Sequence, residues 1–138
     1  MNQEKIIAEL TAKYPEKHII KNDEEEPTEI LCEVKATEDH PTFSMAVAVI
    51  EKSIPHFHKH STEEYTVIKG ELVLHIGNQS IPLHPGETFI IPPGKIHWAE
   101  GNETWVSCFS QPGWTLEDHI LAPAGDAPVG ASFKKLIQ

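Results

Sequence analysis

His56-Phe57-His58-Lys59-His60-Ser61-Thr62-Glu63 opens the stretch on which the fold is read. It continues through Val67-Ile68-Lys69-Gly70 and closes with Gly86 and Pro92-Pro93-Gly94-Lys95-Ile96-His97. Alternate side chains of an extended strand share a face, about 6.7 Å apart along the chain. His56 and His58 therefore point the same way and can converge on one ion. Imidazole–metal bonds are short, about 2.0–2.1 Å for zinc, so further ligands must come from elsewhere in the chain. Glu63 follows a short polar turn and offers a carboxylate. His97 follows a Pro-Pro-Gly turn that sets the backbone direction just ahead of it. Three imidazoles and one carboxylate, from His56, His58, His97 and Glu63, suit one divalent transition metal: iron, manganese, nickel, cobalt, copper or zinc. A second register, His58 and His60 with Glu64, also has ligand-like spacing.

A single His-x-His pair is weak evidence in a chain with nine histidines among 138 residues, because chance supplies about half of one such pair. The paired blocks are more specific. The first reads His-x-His, four residues, Glu63, six residues, Gly70; the second reads Gly86, five residues, Pro92-x-Gly94, two residues, His97. Together they resemble the two signature motifs of the cupin superfamily, over about the central third of the chain. Two positions depart from that pattern. Ile50 stands where the family has a glycine, and Gly101 stands where it has an asparagine, with Asn102 next. Neither position is a metal ligand in cupins, so the departures bear on loop geometry. The family spacing favours Glu63 over Glu64, which leaves His60 at the rim. The resemblance implies an all-β fold, a double-stranded β-helix or jelly-roll barrel with the metal inside. It also implies a small-molecule ligand or substrate and a homodimer.

Length and composition fit one domain. The formal charge of −10 argues against nucleic acid, whose binding needs a basic surface, and disfavours anionic membranes. No apolar run is long enough for a transmembrane helix. Residues 1–5 lack the apolar region of a secretory signal, so a cytoplasmic location is expected. Cys32 and Cys108 each sit in an apolar stretch and read as buried reduced thiols.

Along the chain, residues 3–13 read as a short amphipathic helix, with Ile6, Ile7 and Leu10 on one face, Asn2 as cap and Pro15 as stop. Residues 1–15 are expected to cover the outside or edge of a barrel spanning 16–121. From His18 the pattern changes to period two. Ile30, Cys32 and Val34 share a face; Phe43, Met45, Val47 and Val49 alternate with Ser44, Ala46 and Ala48. Tyr65 to Ile76 is the longest β-like run, with Gly70 as a bend, and Gly77-Asn78 signals a hairpin. Ser80–Leu83, Thr88–Ile91, Ile96–Ala99 and Thr104–Ser110 follow, with Gly101-Asn102 read as a turn. Residues 122–138 read as an irregular arm whose Phe133 and Leu136 dock back or stay disordered.

Met45, Val47 and Phe109 are candidates for an apolar cavity wall. Trp98 follows a proposed ligand and should face away from the metal, whereas Trp105 suits a pocket wall or an interface. His40 and His119 read as solvated, and His75 and His84 as strand histidines of structural or surface type. Four protein ligands on an octahedral ion leave two neighbouring positions, which suit a bidentate oxygen ligand. The expected function is metal–oxygen, dioxygenase-like chemistry on such a substrate. A non-catalytic binding module and an isomerase or epimerase are the alternatives. His60, Glu64, His75 and His84 are the available base candidates, and none has compelling placement. The catalytic residues are not identified by the sequence.

Overall fold

The computed structural model describes residues 1–122; the expected C-terminal arm, apart from Ala122, lies outside the described residues. Gln3–Lys13 forms helix α1, capped by the Asn2 side chain, which accepts a hydrogen bond from the Lys5 amide. Its Ile6 and Leu10 are fully buried, as the sequence periodicity predicts.

Ten strands follow: β1 (His18–Lys21), β2 (Glu29–Lys35), β3 (Ser44–Lys52), β4 (His56–His58), β5 (Thr62–Lys69), β6 (Leu72–Ile76), β7 (Gln79–Leu83), β8 (Thr88–Ile91), β9 (His97–Gln111) and β10 (His119–Leu121). Every pairing is antiparallel. The single sheet curls into a jelly-roll half-barrel with the short helix outside. Strand β9 is the hub, bonding to β3, β4, β5 and β6 in turn. The Gly77-Asn78 hairpin forms as expected, with a left-handed φ of 57° at Gly77. Glycine takes that conformation without a β-carbon clash.

The Gly101-Asn102 turn does not form. Residues 97–111 are one strand, with a positive φ of 51° at Glu103 where the partner changes. Before this kink β9 pairs with β6, and also with β4 at His97 and with β3 at Glu100; after it, β9 lies between β3 and β5. The Gly-Asn pair thus acts as a bulge, because hydrogen-bond partners on both sides keep the backbone extended. Gly101 is needed for packing. A β-carbon there would press into the Thr104 side chain and lie 3.0 Å from the Ile50 carbonyl oxygen. Gly101→Ala is expected to cost about 2 kcal/mol by overpacking, measured as a drop in urea midpoint; an unchanged midpoint would show that the kink relaxes freely.

Two cores sit on opposite faces of the sheet. Ile30, Cys32, Val47, Val49 and Trp105 pack with Ile6 and Leu10 beneath α1. Ala48, Ile50, Tyr65, Val67, Leu72, Leu74, Val106 and Cys108 fill the interior of the curl. Period two decides this division: the bulky faces of β2 and β3 turn toward the helix. Their other faces, with Glu29, Ser44 and Ala46, turn inward. Cys32 and Cys108 are both free and buried, in keeping with the sequence reading.

Candidate metal centre

His56 and His58 leave β4 on the same face, as strand alternation requires. Strand β9 places His97 directly across from His56, and β5 supplies Glu63. The ligand atoms of His56, His58, Glu63 and His97 all lie within 4.8 Å of one another, and all four residues are buried. Glu63 Oε1 is 3.1 Å from His97 Nε2 and 3.4 Å from His58 Nε2. Two donors about 2.1 Å from a common ion, at right angles, stand about 3.0 Å apart, so this spacing fits a bound cation.

Two backbone carbonyls prepare the rings. His56 Nδ1 donates to the Ile54 carbonyl at 2.7 Å, and His97 Nδ1 donates to the Lys95 carbonyl at 2.9 Å. Each bond places the ring proton on Nδ1 and leaves the Nε2 lone pair free to ligate. Both ring nitrogens of His58 are buried without a hydrogen-bond partner. Orphaned polar atoms in a closed interior cost about 1–3 kcal/mol each, and an ion would satisfy one of them. The cluster is thus able to hold a metal.

Electrostatics point the same way. Burial holds the His56 imidazole well below its ordinary range, helped by repulsion from His119, His97 and His58. Burial also opposes charge on His58, but the Glu63 carboxylate and the Asp118 charge outweigh it and raise its pKa. Burial alone would raise Glu63; the contacts from His58 and His97 overcome it and hold the carboxyl well below the usual range. The site therefore presents an anionic carboxylate at Glu63 and a neutral imidazole at His56 to any cation.

A cavity of about 60 Å³ opens beside the cluster, lined by His56, His58 and Glu63 together with Glu29, Tyr65 and His119. Ile20, Leu31, Met45 and Ala46 add apolar wall. Such a space suits a small ligand. Of the three apolar residues expected here, Met45 contributes to the lining. Val47 instead belongs to the core under α1, and Phe109 stacks on Phe43 at 5.6 Å. Strand parity is the reason for Val47, since the small-residue face of β3 is the inward one; Met45, of the same parity, packs against the core under α1 as well as lining the cavity.

The second ligand register is not assembled: His60 is exposed and Glu64 lies on the opposite face of β5 from Glu63. His75 bonds Ser80 and Glu100 and stacks on Trp98 at 4.0 Å, away from the cluster. His84 pairs with Glu71 in an exposed position. Trp105 packs under α1, flanked by Lys13 and Lys69, rather than on the cavity.

Two cavity residues escape the sequence pattern. His119, expected in solvent, stacks flat on His56 with centroids 4.1 Å apart. Its burial, with the His58 charge second, pushes it down to about 3. The cause of the difference is long-range: β10 pairs with β4 and sets His119 opposite His58. Glu29 is the other. Burial, with the Glu63 charge second, pushes its carboxyl up to about 8. Between the unfolded value of about 4.3 and that raised value, the folded state keeps a proton that the unfolded state has lost. Glu29 therefore makes stability fall as pH rises through this window. Glu29→Gln in metal-free protein is expected to gain on the order of 2 kcal/mol near pH 8 and almost nothing near pH 4.5. Equal melting shifts at both pH values would contradict a buried neutral carboxyl.

A curled antiparallel barrel with a buried three-histidine, one-glutamate cluster defines a class of small metal-capable β domains. Residues 43–107 match the family model for the cupin domain, so this part of the chain is a cupin domain. A 58-residue segment is 36% identical to a gentisate 1,2-dioxygenase from Haloferax sp., covering 41% of this chain and 16% of that protein. Among solved structures, the nucleoside dehydratase Pac13 of Streptomyces aligns with TM-score 0.66 and 15% identity, over 83% of this chain and 94% of that one. KdgF from Halomonas sp. gives TM-score 0.57 and 19% identity, over 65% and 85%. Ectoine synthase from P. lautus gives 0.57 and 20%, over 81% and 88%. At these identities the structural likeness establishes the fold alone. No helix among the described residues is long and apolar enough to cross a membrane.

Proposed function

We propose that this chain is a metal-dependent small-molecule enzyme in which His56, His58, Glu63 and His97 hold one divalent transition metal, and that it joins dioxygen to a small substrate bound through two oxygens. The observation that carries this reading is the convergence of four buried donors beside a small, partly apolar cavity. A bound iron(II) would supply Lewis acidity and a meeting place for dioxygen and substrate. The chain's own residues shape the rest. The carbonyls of Ile54 and Lys95 hold two imidazoles in the ligating tautomer. Ile20, Leu31 and Met45 limit water. Burial, then the Glu63 and Cys108 charges, push Tyr65 well above its ordinary range, which keeps its phenol protonated. Local similarity to a gentisate dioxygenase supports the same chemistry.

The test is oxygen uptake by iron(II)-loaded protein given gentisate or acetylacetone. Uptake above the free-iron control, lost in His58→Ala, is the expected result; no uptake with any such substrate sinks the dioxygenase reading. Glu29 favours a second reading, proton transfer in an isomerase or epimerase, because it places a protonated carboxyl on the cavity wall. Deuterium incorporation from solvent beside the carbonyl of a 2-hydroxy ketone, abolished by Glu29→Gln, would select it. A homodimer in the cytoplasm completes the proposal, with sedimentation at twice the chain mass as its measure.

A further inference from the structure

The chain after β9 is pinned across the barrel next to the cluster. Ser61 Oγ donates to the Pro112 carbonyl at 2.8 Å, and Thr37 Oγ1 donates to the Trp114 carbonyl at 2.6 Å. The Trp114 amide donates to Ser44 Oγ at 2.8 Å. The Asp118 carboxylate accepts from the amides of His60 and Ser61 at 2.8 and 3.0 Å. These bonds tether the backbone on both sides of the Trp114 indole. Its Nε1–H donates to His119 Nδ1 at 3.1 Å. An indole nitrogen only donates, so Nδ1 of His119 must accept, and the neutral ring carries its proton on Nε2.

This is the opposite tautomer from His56 and His97, whose Nδ1 protons go to backbone carbonyls. Those two rings offer lone pairs at Nε2, whereas His119 offers a proton. It is therefore unsuited to ligate, although its ring is 5.3 Å from that of His58. Among the described residues no group accepts from His119 Nε2, and this atom is not among the nitrogens sealed off without a partner. The residue lines the cavity.

We propose that His119 orients the substrate, its Nε2–H donating a hydrogen bond to one oxygen of a small bidentate oxygen ligand held at the neighbouring metal centre. The ligand's anchor rests on the metal reading above; the tautomer does not. Trp114 is the positioning residue that keeps the proton on the cavity side.

The experiment uses cobalt(II)-loaded protein with acetohydroxamate as the bidentate oxygen probe, followed in the visible spectrum. His119→Phe keeps a flat ring on His56 and removes the donor; His119→Gln retains one. Cobalt uptake is expected to be unchanged in both. Acetohydroxamate affinity should fall about tenfold in the Phe variant and stay within about threefold in the Gln variant. In long-range 15N–1H spectra of metal-free protein, His119 should be protonated at Nε2, and Trp114→Phe should mix the tautomers. Equal probe affinity in wild type and His119→Phe overturns the proposal, as does a wild-type proton on Nδ1. If the Phe variant does not fold, Trp114→Phe serves instead, with binding expected to weaken about threefold. Wild-type protein that takes up no cobalt removes the anchor and overturns the metal reading and the orienting role together; the tautomer spectrum then shows which premise failed.

Discussion

His58→Ala is expected to weaken divalent-metal affinity by about a thousandfold while leaving the metal-free barrel folded. Removing even an outer partner of a ligand typically costs about 10–100-fold, and here a proposed ligand itself is lost. The fold should survive because the His58 ring makes no hydrogen bond and Glu63 keeps its 3.1 Å contact with His97. The β4 backbone keeps its pairing with β10 and β9. Deleting two orphaned nitrogens also removes a desolvation cost that offsets the lost packing. Competition against a chromophoric chelator measures the affinity. Thermal melts supply a second readout: metal at about 1,000 times its dissociation constant should stabilise wild type by about 4 kcal/mol, and the variant hardly at all. A variant that binds as tightly as wild type would remove His58 from the ligand set. One that is unfolded without metal would show that the ring is structural.

Acidification should release the metal, with up to about a tenfold loss of affinity per pH unit for each imidazole that must lose a proton. A cation can bind only imidazole whose Nε2 is unprotonated. His56 is held neutral by burial, so it needs no deprotonation. His58 differs, because Glu63 and Asp118 raise its pKa against the opposing effect of burial. It therefore takes up a proton more readily than an ordinary histidine as the pH falls, and an incoming ion must displace that proton. Glu63 stays anionic far into acid because its carboxyl is held well below the usual range. The competition therefore falls on imidazole rather than carboxylate. At fixed micromolar metal, occupancy near pH 4.5 should be under about a tenth of that near pH 7.5. Full occupancy at the lower pH would mean that the ion sits elsewhere or uses other donors.

These effects rest on residues that differ in how far the sequence exposes them. His56, His58, Glu63 and His97 are legible because strand alternation aligns the first two and turn residues deliver the others. The helix is equally plain from Ile6 and Leu10, with Asn2 and Pro15 as its punctuation. The Gly101-Asn102 pair shows the limit of local signals. A pattern that favours a turn became a bulge because β3, β5 and β6 hold the backbone extended on either side.

Local order along the chain determined the period-two strands, the capped helix and a set of metal-suited donors at family spacing. Only the tertiary structure decided which face of each strand looks inward. Alternation specifies two faces but not their destinations. Because α1 covers the bulky side of β2 and β3, Glu29 and the small residues Ser44 and Ala46 turn to the cavity. His119 is a sharper case. Its place beside His58 comes from a strand pairing across 61 positions of sequence, and no pattern around it carries that contact. Side chains brought together by distant backbone pairing leave no periodic trace, whereas those set by one strand's pleat do.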